Sequence, residues 1–169
     1  YLVYIYAILF IFIGYLTLTG RIFSTFFGGL TLLTVFIAIY TMLNGYNRCC
    51  RVVISTFFMS ILLNNPLFVD ASTLSWNHTF PVFMTILSVI LFLRASTSPR
   101  PWVQLVLSGL MVGAAAGVRL SFMIIPIPFV LLISFSPKDF WNTGKGKAIF
   151  HFCGGVIVAL LPAVYFLMI

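Results

Sequence analysis

The chain has 169 residues, of which 62% are hydrophobic and only 7% are charged. Soluble domains carry about a quarter charged residues, so these few charges cannot cover a water-facing surface. The composition therefore excludes a soluble enzyme, a disordered chain and a secreted disulfide scaffold. Nine basic residues and two acids give a formal charge of +7. The basic residues are scattered singly or in small groups between apolar runs, which argues against a nucleic-acid-binding surface.

These features predict an all-α fold, a polytopic bundle of transmembrane helices. A bilayer core of about 30 Å requires about 20 helical residues, and the apolar runs divide the chain into about seven spans. Gly20 and Arg21 are predicted to form a tight turn between the first two. In chain order the spans are residues 1–19, 22–43, 52–69, 72–93, 102–117, 120–135 and 149–169.

Prolines interrupt two of these spans. Pro66 either kinks the third span or marks a partial span that ends in a loop. Pro126 and Pro128 disrupt the sixth. All spans are assigned to one transmembrane domain, residues 1–169, and we expect this domain to be a piece of a larger membrane protein because both ends of the chain lie in apolar runs.

The basic residues indicate the topology, because Lys and Arg accumulate in short cytoplasmic loops. Their alternation between successive loops predicts a multi-pass protein with residues 64–79 on the non-cytoplasmic side. A bacterial inner membrane and an endoplasmic reticulum membrane fit equally well. The predicted cytoplasmic loops carry seven of the nine basic residues, namely Arg48, Arg51, Arg94, Arg100, Lys138, Lys145 and Lys147.

The most polar segment, residues 64–79, is predicted to be an outer loop. It contains Asp70, Asn77 and His78, which are candidates for substrate binding. A single Asp and a single His eight residues apart in sequence do not form a metal site or a catalytic dyad, so no metal site is predicted. The alternative for Asp70 is a helix cap or a loop contact.

Arg119 lies between the fifth and sixth spans, on the predicted outer side. An ionisable side chain near membrane depth is costly and indicates a functional site, here one that binds phosphate. The alternatives are a side chain that extends to lipid phosphates and a structural ion pair. Gly109, Gly113 and Gly117 share one helical face, which favours close approach of another helix and a protein cavity at the Arg119 end.

The segment LSGLMVGAAAGVRLS (107–121), followed by Pro126, resembles part of the C superfamily of polytopic glycosyltransferases. That family, which includes protein O-mannosyltransferases and aminoarabinose transferases, has a glycine/alanine helix that ends in a basic residue before a proline-containing span. Residues 73–93 are similar to the family's segment in which a short polar stretch introduces a span. The resemblance extends from about Leu67 to Phe135.

The resemblance implies transfer of a sugar from a polyprenyl-phosphate-linked donor on the non-cytoplasmic side. Arg119 matches the basic residue that contacts the donor phosphate, with Asp70, Asn77 and His78 as further substrate contacts. The family's acid in the second outer loop would fall near Asn77, where this chain has no carboxylate. The family's long first outer loop has no counterpart at Gly20, so the catalytic acid is expected outside this chain. The expected partners are membrane lipid and the lipid-linked donor, and the sequence does not identify a cofactor.

Two other functions stay open at this point. A noncatalytic membrane subunit would pack against partner helices through Gly109, Gly113 and Gly117. A transporter module would also explain broken spans and an arginine at membrane depth, although neither paired half-repeats nor several buried ionisable residues are found in the sequence. An acid-bearing outer loop upstream of Tyr1 would favour the enzyme.

Overall fold

A computed structural model describes residues 16–73, 79–136 and 144–168. Within these ranges the chain is all-helical, as predicted, with seven α-helices, one 3-10 helix and no strand. The elements are α1 (Leu16–Met42), α2 (Arg48–Leu63), α3 (Pro66–Thr73), α4 (Thr79–Ala95), α5 (Pro101–Val118), the 3-10 helix (Leu120–Ile124), α6 (Pro126–Phe135) and α7 (Lys145–Met168).

Three of the described helices, α1, α5 and α7, are long and apolar enough to cross a bilayer. Their candidate spans are Leu18–Met42, Pro101–Val118 and Lys145–Pro162, and α4 and α6 are shorter apolar helices. These lengths support a membrane protein.

The chain divides into two compact units, which are described separately: the N-unit (Tyr1–Phe83) and the C-unit (Met84–Ile169). The boundary falls within α4.

In the N-unit, α1 packs against α2 and α3. The ring of Phe27 on α1 meets the ring of Phe80 edge to face, with centroids 4.9 Å apart, a favourable geometry for aromatic pairs. Gly28 lies against Ser72 of α3, whose carbonyl oxygen accepts a hydrogen bond from the Thr25 hydroxyl at 3.1 Å. A glycine on α1 thus allows α3 to approach.

In the C-unit, three aromatic rings from different helices join α4, α6 and α7. Phe92 meets Phe129 edge to face at 5.0 Å, and Phe129 stacks on Phe152 at 5.2 Å. Leu105 and Ile133, both fully buried, belong to the same core. Helix α5 is packed against α7 along much of its length.

The predicted turn at Gly20 and Arg21 is wrong. Helix α1 continues through both residues, with Gly20 buried and Arg21 exposed. Backbone groups within a bilayer must be hydrogen-bonded internally, so one glycine and one arginine do not suffice to end a membrane-length helix.

Of the two alternatives for the third span, the structure agrees with the partial one: α2 ends at Leu63 and does not continue through Pro66 with a kink. The predicted loop 64–79 is wrong in part, because it contains α3. The Asn65 side-chain oxygen accepts the Leu67 N–H at 3.0 Å, and Pro66 occupies the first helical position, which requires no N–H donor. Residue 72, the predicted start of the fourth span, lies in α3, and the described part of α4 starts at Thr79.

The predicted disruption of the sixth span is observed, because the run 120–135 is divided between the 3-10 helix and α6, which begins at Pro126. The start of the last span differs from the prediction. Helix α7 begins at Lys145 rather than at residue 149, so the predicted loop around Gly146 is its first turn rather than a connection. Gly144 has φ 78°, a left-handed conformation that glycine adopts without steric cost.

Candidate functional site

Helices α5 and α7 pack backbone against backbone. A Cβ added to Gly109 would overlap the carbonyl oxygen of Phe152, and one added to Gly113 would lie 2.6 Å from that of Val156. On α7, a Cβ added to Gly155 would overlap the backbone of α5. The predicted packing of a helix on the glycine face is therefore observed, and the helix is α7 of the same chain.

The same contacts establish that α5 and α7 are parallel. From Gly109 to Gly113 on α5, the neighbours on α7 advance from Phe152 to Ala159. A parallel pair requires a return segment, which the 3-10 helix and α6 provide. The start of α7 lies beside the end of α6, where the Lys145 ammonium donates to a carbonyl oxygen of α6 at 2.8 Å.

This arrangement separates the charges of the C-unit. The N-terminal ends of α5 and α7 lie side by side, and α4 ends only a short turn before α5. We call this the basic end, because four cationic side chains of the described residues lie there: Arg94, Arg100, Lys145 and Lys147. Arg119 follows the opposite end of α5.

Arg119 connects α5 to the 3-10 helix in an extended conformation, with φ −142° and ψ 121°. Its N–H donates to the carbonyl of Ala115 at 3.1 Å, and its carbonyl accepts the N–H of Phe122 at 3.0 Å. The residue is half-buried, while Leu120 and Ile124 nearby in sequence are exposed. A cation at a helix C-terminus also interacts favourably with the helix dipole, so the backbone alone provides one reason for an arginine at this position.

The other predicted site residues are distributed differently. Asp70 is exposed on α3. It belongs to the N-unit, whereas Arg119 belongs to the C-unit. Asn77 and His78 lie outside the described residues. The substrate-binding roles of these residues stay predictions.

A pair of buried serines in the C-unit was not predicted from the sequence. Ser88 on α4 and Ser108 on α5 have hydroxyl oxygens 2.8 Å apart, and each hydroxyl also lies 3.0 Å from the other residue's carbonyl oxygen. Hydrogen bonds of this kind join helices in membranes. The position of Ser108 beside Gly109 is the sequence signal that indicates a helix contact.

Two other polar groups near the basic end are not among the predicted site residues. The Gln104 side-chain oxygen and the His151 Nδ1 atom are buried without a hydrogen-bond partner. The His151 ring lies 6.4 Å from that of Trp102. Such atoms can accept hydrogen bonds from water or a ligand. Within the described ranges, no group of three or more His, Cys, Asp or Glu residues is arranged to hold a metal ion.

No protein-family model, curated protein or solved structure matches this chain.

Proposed function

We propose that the chain is the transmembrane part of a glycosyltransferase that takes a sugar from a polyprenyl-phosphate-linked donor on the non-cytoplasmic side. The observation that carries the proposal is the position of Arg119, at the end of α5 opposite to the basic end. A guanidinium group stays charged and binds phosphate through two parallel hydrogen bonds. It is thus suited to the headgroup of such a donor.

The charge distribution of the C-unit supports the sidedness of this proposal. Positive residues favour the cytoplasmic side of a membrane protein, so the basic end is proposed to face the cytoplasm. Because α5 is long enough to cross the bilayer, Arg119 then lies near the opposite surface. A multi-pass arrangement of the shorter helices around α5 and α7 completes the proposed topology.

The proposed chemistry needs a cation at the donor phosphate. When the bond between the sugar's anomeric carbon and the phosphate oxygen breaks, negative charge increases on the departing phosphate. A positioned guanidinium stabilises that charge. The acceptor oxygen forms the new bond to the sugar and gives its proton to a base, which we expect outside this chain. Asp70, Asn77 and His78 are proposed as further substrate contacts.

A noncatalytic subunit that docks through its glycine face is less well supported. Gly109 and Gly113 are buried and covered by α7, so a partner helix has no access to them. Gly117 is exposed, but a single exposed glycine does not define a docking face. No feature of the described residues favours a transporter over the enzyme.

The test measures transfer of a labelled sugar from a polyprenyl-phosphate donor in membranes that contain the protein. Loss of a group that stabilises transition-state charge typically lowers turnover about 100-fold, and this is the effect expected for Arg119→Ala. Arg119→Lys keeps the positive charge but cannot form two parallel hydrogen bonds to phosphate, so an intermediate rate of transfer is expected. Arg48→Ala is the matched control, because it removes an exposed arginine from α2 of the N-unit.

Binding of the lipid itself separates the proposal from a purely structural role for Arg119. The wild-type protein should retain polyprenyl phosphate in preference to the polyprenol that lacks the phosphate, and Arg119→Ala should reduce this preference while Arg48→Ala leaves it unchanged. If Arg119 serves only the helix end or reaches lipid phosphates non-selectively, Arg119→Ala lowers stability while transfer by the folded protein equals that of Arg48→Ala. That outcome would overturn the proposal.

A further inference from the structure

We infer that the basic end of the C-unit is a binding site for the headgroups of anionic phospholipids in the leaflet that covers it. The site is distinct from the proposed donor site, because Arg119 follows the opposite end of α5. It requires neither a sugar donor nor catalysis.

Three helices that are separate in sequence supply the cations of this site. Arg94 lies in the last turn of α4, Arg100 directly precedes α5, and Lys145 and Lys147 lie in the first turn of α7. Arg94, Arg100 and Lys147 are exposed. Their side chains are therefore accessible at the surface of the bundle, at an end that the parallel packing of α5 and α7 creates.

No carboxylate of the described C-unit compensates these charges. The two acids of the chain are Asp70 and Asp139. Asp70 belongs to the N-unit, and Asp139 lies outside the described residues directly after Lys138, so these two neighbours add no net charge. Like charges at close range repel one another, and an anion bound among them offsets that repulsion.

The two parallel helix N-termini contribute charge of the same sign. The N-terminal end of a helix carries a partial positive charge, and the first turns of α5 and α7 contain no acidic residue. Side chains and backbone at the basic end thus favour the same ligand, an anion.

Trp102 identifies the anion as a lipid headgroup rather than a soluble ion. This residue lies in the first turn of α5 and is 50% exposed. Exposed tryptophans collect at the level of lipid headgroups. Phe150 on α7, 76% exposed, presents a second apolar ring where a soluble anion would gain nothing but an acyl chain gains contact.

The experiment uses the protein in bilayers of equal parts phosphatidylglycerol and phosphatidylcholine, followed by native mass spectrometry of the lipids that stay bound. The wild type should retain phosphatidylglycerol in preference to phosphatidylcholine. Each cation near a membrane surface strengthens anionic-lipid binding about five-fold, so Arg94→Gln and Arg100→Gln should each reduce the preference by about that factor. Arg94→Lys and Arg100→Lys should retain it.

Arg48→Gln is the matched control, because Arg48 is also exposed but lies in the first turn of α2, in the N-unit. Its loss should change the preference less than two-fold, since the binding strength at the basic end comes from the cluster. Equal retention of both lipids by the wild type would overturn the inference. So would an Arg48→Gln effect as large as that of Arg100→Gln, or displacement of the lipid by millimolar inorganic phosphate, which would assign the site to a soluble anion.

Discussion

Among the described residues, the two units of the chain bury different kinds of side chain. In the N-unit the buried set contains Phe23 and is rich in hydroxyl groups: Thr19, Ser24, Thr31, Ser55 and Thr79. In the C-unit the buried set is mainly apolar: Phe92, Ala95, Leu105, Val112, Ala115, Ala116, Phe129, Ile133, Ala148, Phe152 and Val156. Ser88 and Ser108 are also buried there, and their hydroxyls bond to each other.

This difference predicts how the stability of each unit responds to substitutions. Lipid tails are as apolar as leucine, so helices in a bilayer associate through close packing and hydrogen bonds rather than through the hydrophobic effect. The C-unit depends on the fit between two helix backbones, which cannot shift without separating. In the N-unit the close contact at Gly28 is with a side chain. Added atoms should therefore destabilise the C-unit more.

The largest effect is expected for Gly109→Ala. The new methyl group would overlap the Phe152 carbonyl oxygen, and overpacking of this kind costs about 2–3 kcal/mol. Thermal unfolding in detergent, followed by circular dichroism, measures the loss. Gly154→Ala is the matched control on α7, because no atom lies within 4 Å of its added Cβ; replacement of an unconstrained helical glycine should stabilise by about 0.5–1 kcal/mol. Equal melting temperatures for the two variants would contradict backbone packing of α5 on α7.

A smaller effect is expected for Gly28→Ala in the N-unit. Its Cβ would lie 2.7 Å from the Cβ of Ser72, so α3 must move slightly, at a cost of about 1–2 kcal/mol. Gly29→Ala should not destabilise, because nothing lies within 4 Å of its added Cβ. Adding Ser72→Gly to Gly28→Ala removes the overlapping atom and should restore part of the loss. If the double variant is no better than the sum of the two single variants, α1 and α3 do not meet at this point.

Removal of the serine contact should cost about 1 kcal/mol. Ser88→Ala and Ser108→Ala each delete mutual hydrogen bonds that are buried, and such bonds contribute about that amount. Because the two hydroxyls act together, the double variant should lose less than the sum of the single variants in the same unfolding assay. Ser134→Ala is the control, since this exposed hydroxyl bonds only to its own helix at Val130. Strict additivity would mean that α4 and α5 are not joined by this pair.

The smallest effect is expected at the connection between α1 and α2. The Arg51 guanidinium carbon lies 3.8 Å from the centre of the Tyr40 ring, and its Nε donates to the Tyr40 carbonyl at 3.0 Å. A cation–π contact at a partly exposed site contributes about 0.5–1 kcal/mol, so Arg51→Ala should lower stability by that amount. Arg48→Ala, at an exposed position on the same helix, should leave the unfolding temperature unchanged. A loss as large for Arg48→Ala would show that net charge rather than this contact matters.

Features that depend on local composition could be predicted from the sequence. The apolar runs predicted helices, and the spacing of Gly109 and Gly113 predicted a face that another helix covers. The start of α3 also has a sequence signal, because Asn65 followed by Pro66 is a common beginning of a helix. Gly20 and Arg21 led to the wrong prediction of a turn. Helix α1 continues through both, because helix continuity within a bilayer outweighs two unfavourable residues.

Features that depend on distant pairing could not be predicted. The sequence around Gly155 does not indicate that this residue contacts α5, because both faces of α7 carry small residues. The serine pair and the basic end likewise follow from which helices are neighbours, and a single sequence does not contain that information. For the candidate site, the sequence singled out Arg119 but gave no reason to connect the basic end to a ligand.

The separation of the basic end from Arg119 depends on the parallel packing of α5 and α7. Cross-linking with a short bifunctional thiol reagent tests this packing in a protein whose native cysteines, Cys49, Cys50 and Cys153, are replaced by serine. Trp102→Cys combined with His151→Cys should be cross-linked, because the two native rings lie 6.4 Å apart and the reagent spans the gap that the shorter cysteine side chains leave. Trp102→Cys combined with Val164→Cys should not. Cross-linking of the second pair in place of the first would mean that the helices are antiparallel and would contradict the account.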